Sequence, residues 1–297
     1  MKVLNFGSLN VDYVYKLPHI VAKGETISSK SLNIYPGGKG LNQSIALGRA
    51  GALVYHAGAI GEDGRFLVDF LESAGVNTKF VKIHSDIKSG HAIIQNDADG
   101  DNCIILYGGA NQAITKEQID STLAEFGSGD YLILQNEINE LNYIVEKAHQ
   151  IGMQIVLNPS PMDEKITALP LEYIDYFLLN EIEANQILGQ SYEAPAEIIA
   201  GLRTVFPHAK VVLTLGGNGS VYSDETQEIL QHIYKVETID TTAAGDTFTG
   251  YFIAGELKGL TVKESMDMAA RAAAITVSRP GAGVSIPTID EVEGTHF

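Results

Sequence analysis

The stretch TIDTTAAGDTFTGYF (residues 238–252) places three small residues, Ala243, Ala244 and Gly245, directly before the carboxylate of Asp246. The pattern that follows predicts a helix with Asp246 in its first turn. A helix N-terminus offers unpaired N–H groups to an anion, and small residues let a ligand approach that backbone closely. This suits a transferring phosphoryl group, with Asp246 accepting a proton from an attacking hydroxyl. A first-turn acid that only complements the helix dipole explains the local pattern equally well.

A second polar cluster lies in PGGKGLNQS, residues 36–44. The segment is not a phosphate loop, because Gly40 follows Lys39 where Ser or Thr is required. Its glycines permit close approach of a polar ligand, while Lys39 and Asn42 supply donors for sugar hydroxyls at a predicted helix start. A tight strand-to-helix turn is the structural alternative, but it leaves Lys39 and Asn42 unexplained.

Near the start of the chain, GSLNVD (residues 7–12) follows a predicted buried strand. Asn10 and Asp12 are two residues apart in an extended segment, so their side chains point to the same side. This arrangement suits the capture of neighbouring hydroxyl groups. An ordinary Asx turn is the alternative interpretation.

Two further segments suit a nucleotide and its metal. NEIEANQ (180–186) carries Asn180 and Glu183, which either form a capping box or help to hold Mg²⁺ through water. Magnesium keeps several waters and needs only one or two carboxylates beside substrate phosphates. TLGGNGS (214–220) is a glycine-rich turn suited to cradle a nucleotide, although such turns are common.

The composition excludes several classes of partner. The chain has 297 residues, a formal net charge of −17 and 45% hydrophobic residues. Nucleic acid and anionic membranes require a basic face, so we expect neither, whereas backbone N–H groups can still bind a small phosphorylated ligand. No run approaches 18 apolar residues and no secretory signal is evident. Cys103, the single cysteine, is interpreted as a packing residue, and we expect a cytoplasmic protein.

Apolar runs alternate with amphipathic segments along the chain. Runs such as KVLNFGS (2–8), YLILQN (131–136) and AKVVLTLGG (209–217) predict buried strands, and the segments between such runs predict helices. The alternation favours an α/β fold with a doubly wound, mostly parallel sheet flanked by helices, and ligands bind beyond the carboxyl ends of such strands. Thr115 and Gln118 are predicted to form a capping box at one helix start.

Two segments lack helical periodicity and predict a small side sheet. They span about residues 12–35 and 89–108, and the second is predicted to be a hairpin that turns at Asp99-Gly100. We expect one domain over residues 1–297, in which this small sheet acts as a lid over the ligand. The second segment contains no lysine or arginine, which favours an unphosphorylated substrate.

Together and in this order, the segments resemble the ribokinase family (PfkB-type carbohydrate and nucleoside kinases). The motifs run through GSLNVD, GGKGLNQS, IGEDGRF, LQNE, NPSP, NEIE, TLGGNG, DTTAAGDTFTG and RPGAGVSIP, over residues 7–287. The resemblance implies transfer of the γ-phosphoryl group of ATP to a hydroxymethyl hydroxyl of a small sugar, with D-ribose favoured. A kinase of a nucleoside, fructose or another sugar, and a non-catalytic sugar-binding regulatory protein, are the alternatives. A nicotinamide-dependent dehydrogenase is disfavoured because G-x-G-x-x-G is missing.

The resemblance also implies roles for individual residues, carried over to matching positions. Asp246 is implied as the catalytic base, and the anion hole as Ala243, Ala244 and Gly245. The implied sugar contacts are Asn10, Asp12, Gly38, Lys39, Asn42 and Glu137. The implied contacts to ATP and Mg²⁺ are Asn180, Thr214, Gly216 and Gly219, with Glu183 acting on Mg²⁺ through water. The implied site for a monovalent cation, usually K⁺, is formed by Asp240, Thr242, Thr276, Arg279, Gly281 and Ser285. Paired lids imply a homodimer.

Overall fold

The computed structural model describes residues 1–97 and 101–297. Two β-sheets, one large and one small, organise these residues. The strands are β1 (Val3–Phe6), β2 (Asn10–Lys16), β3 (Ser31–Gly37), β4 (Val54–Gly61), β5 (Asn77–His84), β6 (Gly90–Asn96), β7 (Asn102–Tyr107), β8 (Tyr131–Leu134), β9 (Gln154–Leu157), β10 (Tyr176–Asn180), β11 (Lys210–Thr214), β12 (Ser220–Ser223) and β13 (Glu228–Gln231).

Helices connect most of the strands of the large sheet. The α-helices are α1 (Lys39–Arg49), α2 (Arg65–Ser73), α3 (Lys116–Leu123), α4 (Leu141–Ile151), α5 (Glu164–Thr167), α6 (Glu181–Leu188), α7 (Pro195–Val205), α8 (Ala244–Leu257), α9 (Val262–Val277) and α10 (Ile289–Gly294). Short 3-10 turns are formed by Glu62–Gly64, Gly109–Gln112, Leu171–Tyr173 and Gly216–Asn218.

The large sheet has nine strands in the order β13-β12-β11-β10-β9-β8-β1-β4-β5. Its strands pair in parallel except where β12 pairs with β11 and with β13. Strands β1 and β8 are buried along their whole length and are apolar apart from Asn5 of β1, as expected for strands covered on both faces. The chain moves outward from β1 to β4 and β5 and returns to β8, so a topological switch point lies between β1 and β8. The predicted doubly wound fold is confirmed.

Each face of the large sheet buries its own apolar cluster. On one face, Leu41 of α1, Leu71 of α2, Phe252 of α8 and Met266 of α9 share a core. On the other face, the cluster includes residues of α3, α4, α6 and α7, for example Ile144 of α4. The apolar faces of these helices therefore pack against the sheet, and the polar ends of the strands stay free for ligands.

The small sheet has the strand order β3-β2-β6-β7. β2 pairs antiparallel with β3 and parallel with β6, and β6 pairs antiparallel with β7, so the predicted side sheet and hairpin exist. The predicted turn at Asp99-Gly100 lies outside the described residues. All six residues of β7 are exposed.

Two local expectations were wrong. Thr115 caps α3 by accepting from the backbone N–H of Gln118 at 3.2 Å, but the Gln118 side chain donates to the carbonyl of Gly58 at 2.9 Å instead of closing the capping box. Cys103 does not pack in a core; it is exposed on β7. Within residues 1–97 and 101–297, none of the helices has the length and apolar character that crossing a membrane requires.

Candidate active site

A cavity of about 200 Å³ lies where α8 begins, beside residues that follow β9 or end β10 and β11. It therefore opens at the carboxyl ends of the parallel strands, the usual ligand position in this class of sheet. The cavity is lined by Lys39, Asn158, Ser160, Leu178, Leu179, Asn180, Glu183, Thr214, Thr241, Ala243, Ala244, Gly245, Asp246, Phe248 and Thr249. The lining comes from five separate segments of the chain, and it brings together predicted sugar, nucleotide, metal and catalytic residues.

The backbone at the start of α8 is open to this cavity. Ala243 has a φ of 62°, a left-handed conformation that turns the chain into the helix. Among the described residues, no side chain caps α8; the Ala244 N–H donates weakly to the Thr241 carbonyl at 3.3 Å, and the N–H groups of Gly245 and Asp246 stay available to an anion. A Cβ atom built on Gly245 would meet no protein atom within 4 Å, so the space beside this residue is free for a ligand.

Asp246 lies in the first turn of α8 and is only 6% exposed. Two side-chain amides of α1 hold its carboxylate. Nδ2 of Asn42 donates to Oδ2, and Nε2 of Gln43 donates to Oδ1, each at 3.0 Å. The carboxylate is therefore fixed by donors while it borders the cavity, which is the arrangement that a positioned proton acceptor requires.

Lys39 and Glu137 join the start of α1 to the loop after β8. The backbone N–H of Lys39 donates to Oε2 of Glu137 at 2.9 Å, and the Ser8 hydroxyl donates to the same oxygen. Burial by itself lowers the pKa of the Lys39 ammonium, but nearby carboxylates outweigh burial and the pKa is raised. Those carboxylates belong to Asp246, Glu137 and Glu183. Lys39 therefore remains a cation beside the cavity.

The predicted hydroxyl-reading pair lies on β2 of the small sheet. Asn10 is buried, and its Oδ1 accepts from Nδ2 of Asn111 at 2.7 Å. Burial, together with the negative charge of Glu137, raises the pKa of Asp12 to about 7. The opposing strand, β3, ends at Gly37, and Gly38 follows it. Gly38 has a φ of 96°, a backbone conformation that favours glycine.

Asn180 and Glu183 form a complete capping box at the start of α6. Oδ1 of Asn180 accepts from the Glu183 N–H at 2.9 Å, and Oε2 of Glu183 accepts from the Asn180 N–H at 3.0 Å. The structural reading of this motif is thus realised, yet both residues also line the cavity. In the described residues there is no group of three or more His, Cys, Asp or Glu side chains that can hold a metal. The cavity is lined by two carboxylates, Glu183 and Asp246, and so small a set fits Mg²⁺ that is held mainly by water and substrate phosphates.

The predicted nucleotide turn divides into two parts. Thr214 lies at the end of β11 and lines the cavity, and its hydroxyl donates to the carbonyl of Leu179 at 3.3 Å. Gly216 and Gly219 do not contribute to the cavity wall described above. Gly219 has a φ of 97°, and a Cβ there would collide with the Gln231 carbonyl, so backbone geometry requires this glycine. Gly216 is open to solvent space, with no atom within 4 Å of a built Cβ.

The predicted cation residues come from the loop before α8, from the last turn of α9 and from the loop after α9, which meet beside the start of α8. Asp240 accepts from the N–H and hydroxyl of Thr242, at 2.9 and 2.6 Å, and from the N–H of Gly281 at 3.0 Å. Burial raises the pKa of Asp240, but these hydrogen bonds outweigh burial and the pKa is lowered. The carboxylate is therefore charged at neutral pH and joins the two loops.

The other three cation-site candidates contribute differently. The Thr276 hydroxyl donates to the Ala272 carbonyl at 3.0 Å, and the Ser285 hydroxyl donates to the Ala282 carbonyl at 2.7 Å. The Arg279 guanidinium pairs with Glu291 at 2.6 Å, so only the backbone of Arg279 is free to face a cation. Carbonyl oxygens and one carboxylate suit a hard, weakly held cation such as K⁺.

Sequence reasoning missed several residues that shape the site. Ser8, Gln43, Asn111 and Asn158 all hydrogen-bond to predicted site residues or to their immediate partners. Gln43 lies inside the motif that drew attention to Lys39 and Asn42, so its polar character next to them was the available signal. Asn111 had none, because 101 residues separate it from Asn10.

Residues 1–289 match the sequence model described as pfkB family carbohydrate kinase, and the chain belongs to this family. Its relatives include the ribokinase of Staphylococcus aureus, 34% identical over 312 residues that cover 98% of each chain. The predicted class, an ATP-dependent carbohydrate kinase, is confirmed.

Solved structures show the same fold. Ribokinase from Cryptococcus neoformans, described in complex with ADP, is 34% identical with a TM-score of 0.85 and covers 98% of each chain. Ribokinase from Arabidopsis thaliana, described as complexed with ribose and ATP, is 29% identical with a TM-score of 0.88, covering 98% of this chain and 97% of that chain.

Proposed function

We propose that this protein transfers the γ-phosphoryl group of ATP to a hydroxymethyl hydroxyl of D-ribose. The observation that carries the proposal is the buried Asp246 carboxylate, held by two amides at an uncapped helix start that opens to a cavity with Lys39 on its wall. The names of the Arabidopsis and Staphylococcus relatives support ribose as the acceptor and ATP as the donor.

In the proposed reaction, Asp246 accepts the proton of the attacking hydroxyl. The hydroxyl oxygen forms a bond to the γ-phosphorus, the bond from that phosphorus to the bridging β–γ oxygen breaks, and ADP leaves. The N–H groups at Ala243, Ala244 and Gly245 stabilise charge on the phosphoryl group in flight. When bound, Mg²⁺ would neutralise charge on the phosphates, and Asn180 and Glu183 would hold it through water. Thr214, Gly216 and Gly219 would contact the nucleotide.

The sugar is proposed to bind between the start of α1 and the small sheet. Its contacts are proposed to be Asn10, Asp12, Gly38, Lys39, Asn42 and Glu137. A charged lysine next to three carboxylates supports this assignment, because such a set offers both donors and acceptors to neighbouring hydroxyls. The small sheet acts as the lid of a single domain and excludes water from the reaction. We also propose a cytoplasmic location, where ATP is supplied.

The raised pKa of Asp12 predicts that sugar affinity depends on pH. Asp12 has a pKa of about 7, and only its ionised form accepts hydrogen bonds from two hydroxyls through both oxygens. The KM for sugar is therefore expected to rise about tenfold between pH 8 and pH 6, with a smaller change in kcat. Steady-state kinetics over this range measure it. A KM that does not change with pH contradicts the assignment.

The Asp12→Asn variant is the control. It is expected to raise the KM at all pH values and to remove this pH dependence. Because the folded-state pKa lies above the unfolded value, the folded state holds the extra proton and Asp12 costs stability as pH rises from about 4 to above 7. The variant is therefore expected to melt at a higher temperature than the wild type at pH 8 and at the same temperature at pH 3.

We propose that K⁺ binds between the loop before α8 and the end of α9 with the loop that follows it, and that it orders the start of α8 behind the anion hole. The proposed residues are Asp240, Thr242, Thr276, Arg279, Gly281 and Ser285. The bonds of Asp240 to both loops support this position. Turnover is expected to be higher in K⁺ than in Na⁺ at equal ionic strength, and Asp240→Asn is expected to reduce that difference. Equal rates in Na⁺, K⁺ and Cs⁺ remove the cation site from the proposal.

The small sheet is also proposed to form a homodimer interface. Its outer strands expose large apolar side chains on one face, with Ile34 at 53% and Ile105 at 55%. Soluble monomers rarely leave such a patch uncovered, and β7 is an edge strand. By the register of the sheet, the patch on the face of Ile105 consists of Leu32, Ile34, Ile105 and Tyr107, whereas Tyr35, Ile104 and Leu106 lie on the opposite face.

A charged residue in this patch is expected to give a monomer. In the register of the sheet, Ile105 pairs with Ile93 of β6, at the centre of β7. Sedimentation velocity is expected to show a dimer for the wild type and a monomer for Ile105→Asp. Val205→Asp is the matched control, since Val205 is 56% exposed on α7, outside the patch. A monomeric wild type refutes the interface.

A substrate panel tests the proposed reaction directly. ADP release is measured with ATP, Mg²⁺ and K⁺ in the presence of ribose, deoxyribose, fructose and adenosine. The highest kcat/KM is expected with ribose. Binding of sugar without any ADP release favours the non-catalytic alternative. If kcat/KM is highest with adenosine or fructose, that compound replaces ribose as the proposed acceptor.

A further inference from the structure

A chain of buried hydrogen bonds runs from Asp246 across the sheet. Nε2 of Gln43 donates to Asp246 at 3.0 Å, and Oε1 of Gln43 accepts from Nε2 of Gln135 at 2.7 Å. The same Gln135 nitrogen donates to Oδ1 of Asn5 at 2.9 Å. Nδ2 of Asn5 donates to the Ser44 hydroxyl at 2.9 Å. Gln43, Gln135, Asn5 and Ser44 are all fully buried, so they are isolated from solvent.

The chain has a direction that Asp246 imposes. A carboxylate accepts hydrogen bonds only, so Gln43 must turn its amide nitrogen toward it and its oxygen toward Gln135. Gln135 must then donate to Gln43, and Asn5 is oriented in turn. The Ser44 oxygen accepts from Asn5, which leaves its proton for Nδ1 of His56 at 2.8 Å. Every amide orientation is therefore consistent with an ionised Asp246.

The chain contains one charge. Burial lowers the pKa of His56 to about 3, so this ring is neutral at the far end. In the described residues, Oε1 of Gln135 is buried without a partner, which costs about 1–3 kcal/mol. Gln135 cannot turn over to relieve this cost, because its nitrogen is needed by both Gln43 and Asn5.

We propose that Gln43 is a positioning residue, which fixes the plane of the Asp246 carboxylate and, through Gln135 and Asn5, favours its ionised, proton-accepting state. The inference rests on the proposed role of Asp246 as the base. Asn42 holds the other carboxylate oxygen, but it is also a proposed sugar contact. Gln43 also donates to Oδ1 of Asn158 at 3.2 Å, and Asn5 donates to the Gly40 carbonyl at 2.8 Å. Among the described residues, no member of this hydrogen-bonded chain other than Asp246 itself bonds to the side chain of a proposed sugar contact, so their effect is expected on kcat and on its pH dependence.

The test compares Gln43→Leu with Gln43→Glu. Leucine leaves Oδ1 of Asp246 without its donor, so we expect kcat to fall ~10–100-fold with a sugar KM within about threefold of wild type. A glutamate at this position shares a proton with Asp246, so the acid limb of the kcat profile is expected to move upward by about two pH units. The matched control is Gln150→Glu, an exposed residue of α4, which is expected to leave the profile unchanged.

The other charged groups around Asp246 and its cavity are Lys39, Glu137 and Glu183, and both variants leave them intact. A purely structural role of Gln43 lowers the melting temperature but does not move the acid limb. If both Gln43 variants keep the wild-type acid limb of the kcat–pH profile, the positioning role is overturned. If Asp246→Asn is inactive in the same assays, the assignment of Asp246 as the base still stands. If Asp246→Asn keeps wild-type turnover, the base and the positioning role fall together.

Discussion

Replacing Asp246 with asparagine is expected to lower kcat by ~10²–10⁴-fold, the usual effect of removing a general base. The reason is local: the carboxylate lies at the open start of α8, and both its oxygens are already held by amide donors. Asparagine has the same shape but cannot accept the proton of the attacking hydroxyl. Coupled ADP-release kinetics measure the loss, and nucleotide binding by calorimetry is expected to stay close to wild type.

The control for this variant is Asp69→Asn, the same change at an exposed site of α2. It is expected to leave turnover unchanged. Thermal unfolding of both variants separates a lost proton acceptor from a lost fold. Turnover of Asp246→Asn within a factor of three of wild type is incompatible with a base at this position.

The second large effect is expected from Gly40→Ala, at the start of α1. A Cβ on Gly40 would lie 2.5 Å from the carbonyl carbon and 2.7 Å from the Cα of Gly7, which follows β1. This neighbour is backbone at the centre of the sheet, so α1 itself must shift. Overpacking of this kind costs about 1–3 kcal/mol of unfolding free energy. The shift also carries Lys39 and Asn42 out of place, so kcat/KM is expected to fall ~10²-fold.

Two other glycines serve as controls for that steric argument. Gly127→Ala adds a Cβ that meets nothing within 4 Å, in a turn before β8, and is expected to change neither stability nor turnover. Gly245→Ala also meets no protein atom, so its melting temperature is expected to stay near wild type. Its kcat is expected to fall, because the added methyl group enters the proposed phosphoryl space. An unchanged unfolding free energy in Gly40→Ala contradicts the close packing of α1 against β1.

The fold was predictable because its signals are local. Apolar runs such as the one that became β8 cannot be exposed, and glycines at 51 and 75 adopt positive φ where α1 and α2 end, as the C-terminal signals of helices do. The position of Asp246 in a first turn followed from the small residues before it. These features depend on neighbours within a few residues.

The details of the site were not predictable, because they depend on contacts distant in sequence. Gln43 and Asp246 are 203 residues apart, and nothing in either segment indicates their hydrogen bond. The pKa of Asp12 depends on how deeply β2 is covered and on the charge of Glu137, which the order of residues does not reveal. The capping box at Asn180 shows the opposite case, in which one pair of residues satisfies a structural and a functional interpretation at once.

The left-handed conformation of Ala243 has a consequence for protein engineering. A residue with a Cβ in this region costs roughly 1–2 kcal/mol relative to the right-handed one, and glycine avoids that cost. Glycine would also widen the range of backbone conformations open to the unfolded chain and to the loop before α8. Alanine at position 243 therefore lowers stability slightly but restricts the loop. A glycine substitution selected for heat resistance would loosen the orientation of the N–H groups that follow this residue.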